Sequence, residues 1–382
     1  MFLQNTTVDQ GVNEVDEKQG IAIGALMQGS RQPVREVVSA TLTGCSSGGG
    51  GNDDCEARVS SAPDGTFNDL FTRFGDGWTG GGNVHSIRLA DGRTVWFSGQ
   101  TYLGIVNPDR SRPRETLILD NSLLLQDGLS LTTRLGGTPD APESFFTPVN
   151  MTETYVPRAA VVEGDRVRVM LGTSVGVCTN VRTDVATLSL PDLDLLEITT
   201  VSPRSNIAYG TSLLEQGGFV HIYGVEEVNS GQDKFMHVAR AVRGDLLGPW
   251  EYFDGTGWST DPAASARVFE GVSSDYSVLE FNGTLLLVSQ ALKFSNEINI
   301  YRATSPAGPW TNRVAVFCTP APGADIVTIN ALAHSQVGRA AGDQVLISYM
   351  VSPFFNPDLA FVNADNFRPR FIRVPLGEVL SR

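Results

Sequence analysis

His237-Val238-Ala239-Arg240-Ala241, followed by Gly248-Pro249-Trp250, has a near copy in Asn299-Ile300-Tyr301-Arg302-Ala303 and Gly308-Pro309-Trp310. The copies lie about 60 residues apart, a longer period than the usual propeller repeat. Each reads as a strand, a turn and a Gly-Pro-Trp lead into a further strand. A hairpin precedes each copy. Residues 277–281 and 284–288 flank Asn282-Gly283, a strong two-residue turn signal. Residues 212–214 and 219–223 flank Gln216-Gly217-Gly218. The same theme recurs at 84–89 with 94–97, at 161–162 with 167–171, and at 330–336 with 344–349 across a loop holding Gly338 and Gly342. No stretch has helical periodicity.

A short antiparallel meander cannot bury both faces alone, and radial stacking of such units buries them. The chain therefore predicts an all-β fold, a β-propeller of about five blades, with residues 67–74 as a closing strand. A pair of β-sandwiches is the competing architecture, and the repeated Gly-Pro-Trp favours the ring. The expected organisation is a leader over 1–44, a Gly/Ser-rich linker over 45–65, the propeller over 66–376 and a tail over 377–382.

The 382 residues include 28 Lys plus Arg against 42 Asp plus Glu, a formal charge of −14. That field repels phosphate backbones and argues against nucleic acid as a partner. The 40 glycines and 20 prolines suit many tight turns. No stretch approaches the roughly 20 apolar residues of a membrane span. Residues 1–30 lack the positive start and apolar middle of a signal peptide. Leu42-Thr43-Gly44-Cys45 resembles a bacterial lipobox, with Cys45 as the lipidated thiol and Gly48 to Gly51 as a tether. Arg35 and Glu36 interrupt the segment before it, and a start at Met27 would turn Arg31 and Arg35 into the positive region. The competing reading is a Gly/Ser leader in which the tetrad is chance. Two of Cys55, Cys178 and Cys318 could pair, or all could be buried thiols.

Several stretches act together: Phe74-Gly75-Asp76-Gly77-Trp78-Thr79-Gly80-Gly81, Asp91-Gly92-Arg93-Thr94-Val95-Trp96-Phe97, Thr101-Tyr102-Leu103-Gly104, and Asn121-Ser122-Leu123-Leu124-Leu125-Gln126-Asp127-Gly128. Asp245-Leu246-Leu247-Gly248-Pro249-Trp250-Glu251-Tyr252 and Arg368-Pro369-Arg370-Phe371 follow. Through them, residues 67–376 resemble a family of secreted, mostly actinobacterial proteins of unassigned function. That family is distantly similar to five-bladed propeller glycoside hydrolases of the endo-D-arabinofuranase type.

Glycosidic cleavage ordinarily needs two carboxyls. The resemblance implies an acid at three places where this chain has none: at Gly82-Asn83, at Gln100 before Thr101, and at Arg158-Ala159 after Tyr155-Val156-Pro157. Glutamine binds a sugar hydroxyl but does not exchange a proton near neutral pH. Gly82, Gln100 and Ala159 are expected at one mouth of the central funnel, leaving a site with impaired or relocated acids. The remaining candidates are Asp275, Glu297 and Glu226.

Candidate sugar contacts are the rings of Trp78, Trp96, Tyr155 and Tyr209, together with His85, Gln100, Arg158 and His334. Each ring could equally be a core aromatic, and His334 either a core histidine or a neighbour of a central metal. Arg368 and Arg370 read as anion binders or as braces. No phosphate loop, dinucleotide fingerprint or nucleophile elbow occurs. No cofactor is implied beyond the central calcium ion that the resemblance allows. The functional expectation is an extracellular or cell-surface propeller that acts on or binds poly- or oligosaccharide, touching membrane only through a lipid anchor. The alternative is a non-catalytic glycan-binding or surface or phage attachment protein.

Overall fold

The computed structural model describes residues 55–382 except 176–178, 203–205, 293, 321–322, 324 and 338–342. Cys45, Cys178 and the loop glycines 338 and 342 lie outside the described residues. Among the described residues, five antiparallel sheets of four or more strands follow one another along the chain. Their innermost strands are Val84–Arg88, Glu153–Glu163, Ile207–Gln216, Ser277–Phe281 and Val327–Ala333. Successive inner strands pack side by side. The fifth sheet returns to the first where His334 Nδ1 meets Ser86 Oγ at 2.8 Å. The fold is a β-propeller, and both Gly-Pro-Trp copies lead into outer strands, Glu251–Phe253 and Thr311–Cys318.

Strand alternation explains the ring. In Thr284–Gln290, Leu285 and Leu287 turn toward the third unit's Tyr223 and Val225. Leu286 and Val288 turn the other way, onto Ile347 and Ile372 of the fifth unit. A strand with side chains alternating between two faces thus feeds two cores at once. Five such cores lie between neighbouring units, the last joining Trp96 and Leu124 of the first to Leu346 and Phe371 of the fifth. Each Leu or Phe so buried contributes about 1.5–3 kcal/mol. The Asn282-Gly283 turn has φ of 51° and 77°, as a two-residue hairpin requires.

The ends of the fold depart from the sequence expectation. Residues 67–74 do not form a strand. Gly65–Leu70 is a short helix, started by Asp64, whose Oδ1 accepts from Phe67 N at 2.9 Å. Phe67 and Phe71, one helical turn apart, then pack on Trp96 and Phe371. The closing strand is Ala62–Pro63, paired antiparallel with Pro369–Pro375. Proline is tolerated there because the strand is outermost in its sheet. The folded body therefore begins inside the expected linker. It also includes the expected tail, since helix Leu376–Ser381 buries Leu376 and Val379. Cys55 is bonded to Cys318 at the end of the fourth unit's outer strand.

That disulfide links residues 263 positions apart, so it restricts a long loop of the unfolded chain. Replacing both cysteines with serine should lower unfolding free energy by about 2–5 kcal/mol, read by denaturant titration.

Candidate functional site

Inner strands of the ring converge, and three of them are interrupted by bulges. The register shifts between Pro157 and Ala160, between Tyr209 and Ser212, and between Ile329 and Leu332. A bulge re-aims side chains that the pleat would send into a core. Here Arg158, Thr211 and Asn330 are the residues released. Asn83 and Asp275 stand just ahead of the other two inner strands. Every unit thereby gives a polar group to one cluster.

Asp275 is its centre. Asn83 Nδ2 donates to Asp275 Oδ2, and Thr211 Oγ1 donates to Oδ1 at 3.2 Å. Arg158 Nη1 lies 4.0 Å from the same oxygen. Asn330 Nδ2 donates to Asn83 Oδ1 at 3.2 Å, and Asn330 Oδ1 accepts from Ser273 Oγ at 2.9 Å. Asn330 has φ of 58°, a left-handed conformation that asparagine tolerates better than most residues. Gly172 leaves room for Arg158, since a Cβ there would sit 2.9 Å from Arg158 Nε.

His85 Nε2 faces Asp275 Oδ1 at 3.8 Å, too far for a hydrogen bond but near enough for electrostatic attraction. That nitrogen is buried and has no hydrogen-bond partner. Burial pushes the Asp275 pKa up. Arg158, and then His85 and Thr211, more than reverse this and bring it down to about 2. Asp275 is therefore an anion at any ordinary pH.

The other two acids are differently engaged. Glu226 accepts from Arg267 Nε at 2.6 Å and Asn206 Nδ2 at 2.6 Å, and meets His237 Nε2 at 3.3 Å. Its hydrogen bond to Arg267 holds its pKa below the usual carboxylate value. Glu297 opens the third strand of the fourth unit and is ion-paired with Arg313 on the outer strand. Among the described residues, neither hydrogen-bonds or ion-pairs with the Asp275 cluster. A carboxylate absent from the sequence reading is hydrogen-bonded to the residue beside Asp275. Glu227 Oε1 accepts from Ser274 Oγ at 2.6 Å, beside Asp275, and pairs with Lys234 Nζ at 2.7 Å.

The aromatic candidates are corrected by burial. Trp78 and Trp96 are wholly enclosed, their indole N–H groups donating to Ser98 Oγ and Gln126 Oε1. Tyr209 packs on Trp250 and Tyr252 and bonds Ser265 Oγ at 2.9 Å. Tyr155 belongs to the core between the first and second units. None of the four offers a ring face to a ligand. His334 is also corrected. Ser86 and Ser348 occupy both its nitrogens at 2.8 Å, and burial pushes its pKa down to about 3, so it is a neutral core histidine. Gln100 is exposed, and its backbone carbonyl accepts from Gly82 N at 2.7 Å, so those two expected acid-free positions do adjoin. Ala159 lies in the bulge with Arg158.

A central calcium ion does not fit this donor set. Calcium takes six to eight oxygens, usually from several carboxylates. The cluster offers one carboxylate with a guanidinium beside it, and no group of three or more His, Cys, Asp or Glu side chains placed to share a metal occurs among the described residues.

The bulges that assemble the cluster were invisible to strand periodicity. Thr211 and Asn330 carry no motif, and Asn83 stood out only as the neighbour of a missing acid.

Fold and site together define a β-propeller with one polar, singly anionic centre at its axis. The chain belongs to the family described as Domain of unknown function (DUF5005), which matches residues 64–376. No curated protein matches it. Among solved structures, it is similar to a Bacteroides ovatus ATCC 8483 protein provisionally named a hydrolase. The identity is 22% and the TM-score 0.74, covering 86% of this chain and 94% of that one. An endo-arabinase from Bacteroides thetaiotaomicron VPI-5482 gives 12% identity and a TM-score of 0.48, over 79% and 97% of the two chains. A GH43_1 enzyme from Xanthomonas citri gives 14% and 0.46, over 83% and 91%. The first likeness concerns the fold alone, and the other two are too distant to carry an argument.

Because the folded pKa of Asp275 is depressed, its contribution to stability is complete above the unfolded value of 3.8 and is lost as pH falls toward about 2. The loss amounts to about 2 kcal/mol. Asp275→Asn should therefore flatten the pH dependence of unfolding free energy between those limits, measured by denaturant titration at each pH.

Proposed function

We propose that this propeller binds oligosaccharide at the Asp275 cluster and does not cleave glycosidic bonds by a two-carboxyl mechanism. The observation that carries the reading is the buried, unbonded His85 Nε2 facing an ionised Asp275. A sugar hydroxyl both donates and accepts. A hydroxyl that reached this buried pair would donate a hydrogen bond to Asp275 and accept one from His85. Half-buried Asn83, Arg158 and Asn330 supply further donors around it.

Hydrolysis needs one carboxyl that holds a proton near neutral pH and a second that does not. Asp275 is suited only to the second role. Glu226 is held ionised by Arg267, and Glu297 is engaged with Arg313. The cluster is thus equipped to hold a sugar, and the acids that would break one are absent or bound.

We further infer a location outside the cytoplasm. The Cys55–Cys318 disulfide supports it, since such bonds persist in oxidising compartments. Lipidation of Cys45 is the proposed means of attachment to a membrane surface.

A polysaccharide panel, read both for retention and for release of reducing ends, tests the function. Retention should occur without release above background, and Asp275→Asn or His85→Ala should weaken it about tenfold or more. Release of sugar that Asp275→Asn and Glu227→Gln each abolish would replace this reading with a hydrolase. For attachment, a palmitate analogue fed to cells should label the chain and spare Cys45→Ala; labelling that survives the change rejects the anchor.

A further inference from the structure

The segment that ends in Arg368-Pro369-Arg370 gathers more positive charge than its surroundings balance. Three guanidiniums share one carboxylate, Asp365. Arg368 Nη1 meets Oδ1 at 2.6 Å, Arg370 Nη2 lies 3.5 Å from Oδ2, and Arg110 Nη1 pairs with Oδ2. A fourth, Arg112, is 4% exposed and forms no ion pair among the described residues. It donates to Thr79 Oγ1 at 2.6 Å and Thr79 O at 2.8 Å and lies over the Tyr102 ring. Burial and the Arg368 charge push its pKa down to about 10, which still leaves it a cation. Three guanidiniums thus share one carboxylate with a fourth beside them, next to the Arg114–Asp358 pair, in a chain whose formal charge is −14.

Exposure divides their roles. The Arg368 side chain is 0% exposed and is committed to Asp365, Thr79 O and Arg73 O, so it braces the start of the last strand against the segment 73–79. Arg110 and Arg370 have side chains 46% and 27% exposed, and both approach the same outer oxygen of Asp365. They are the two that a ligand can reach. Their position relates them to the central cluster. Phe367, in the same short segment, lies 3.9 Å from where a Cβ on Gly82 would be. The residue after Gly82 is Asn83, which donates to Asp275.

We propose that Arg110 and Arg370 form a subsite for an anionic group on the glycan, a uronate carboxylate or a sulfate ester, so that the ligand is an acidic oligosaccharide. The inference rests on the glycan-binding reading for its neutral part. A guanidinium fork matches the paired oxygens of either group. A strongly acidic protein otherwise repels an acidic polymer, so a local excess of cations is what such a ligand requires.

Calorimetric titration of the full chain tests this with oligosaccharide pairs matched in length and linkage, one oxidised to the uronate and one neutral. The acidic member should bind at least about tenfold more tightly at low salt, with an advantage that shrinks as salt rises. Arg110→Gln with Arg370→Gln should erase that advantage and leave neutral binding intact. Arg110→Lys with Arg370→Lys, which keeps the charge, should retain part of it and controls for folding. Asp275→Asn should instead weaken both members. Sodium glucuronate and glucose 6-sulfate, titrated alone, read the subsite independently and distinguish carboxylate from sulfate. Saturable binding of either, lost in the glutamine pair, upholds the subsite even if neutral glycans fail to bind. Equal affinity for acidic and neutral members, or no saturable binding of either small anion, overturns it.

Discussion

A carboxylate buried at the convergence of five strands needs a donor from nearly every side, and that requirement organises the centre of this propeller. Desolvation alone would protonate Asp275 or expel it. It stays ionised because Arg158, then His85 and Thr211, outweigh that cost, while Asn83 donates to its other oxygen. Asn330 completes the set by holding Asn83 in place. The bulges in three inner strands follow from the same need, since a regular strand would point those side chains into the interblade cores. The cluster is where all five units bring polar side chains together.

Around this centre the molecule is apolar and repetitive. Leu285 and Leu287 serve one core while Leu286 and Val288 serve the next, and the third unit's Val220 and Ile222 alternate in the same way with Tyr223 and Val225. That regularity is why the architecture was legible in the chain. Asn282-Gly283 and the two Gly-Pro-Trp segments mark turns by local backbone chemistry, which tertiary contacts seldom override. The hairpins they predicted are present in register.

Legibility stopped where context decides. Residues 67–74 are apolar enough for a strand, yet an Asp64 cap and a Phe67/Phe71 spacing put a helix over 65–70 and no strand follows it through 74. Trp78, Tyr155 and Tyr209 could have faced a sugar or a core, and composition cannot distinguish the two. Asp275 could be singled out because it precedes an inner strand. Of the groups around it, His85 and Arg158 could be singled out as ligand contacts but not as its partners, and Thr211 not at all, because they come from three other units and two of them sit in bulges. Glu226 and Glu297 looked equally plausible as acids until Arg267 and Arg313 were found beside them.

The last interblade core has a temporal meaning. Trp96, Val84 and Leu124 of the first unit are covered by Leu346 and Phe371 of the fifth, and the closing strand Ala62–Pro63 has no partner until Pro369–Pro375 exists. During synthesis the first unit therefore emerges early and waits for nearly the whole remaining chain before its outward flank is sealed. For that interval it displays a tryptophan-rich surface and an unpaired edge, the features that invite association with other nascent chains. A cell that makes this protein has to shield that flank until residues 369–375 arrive.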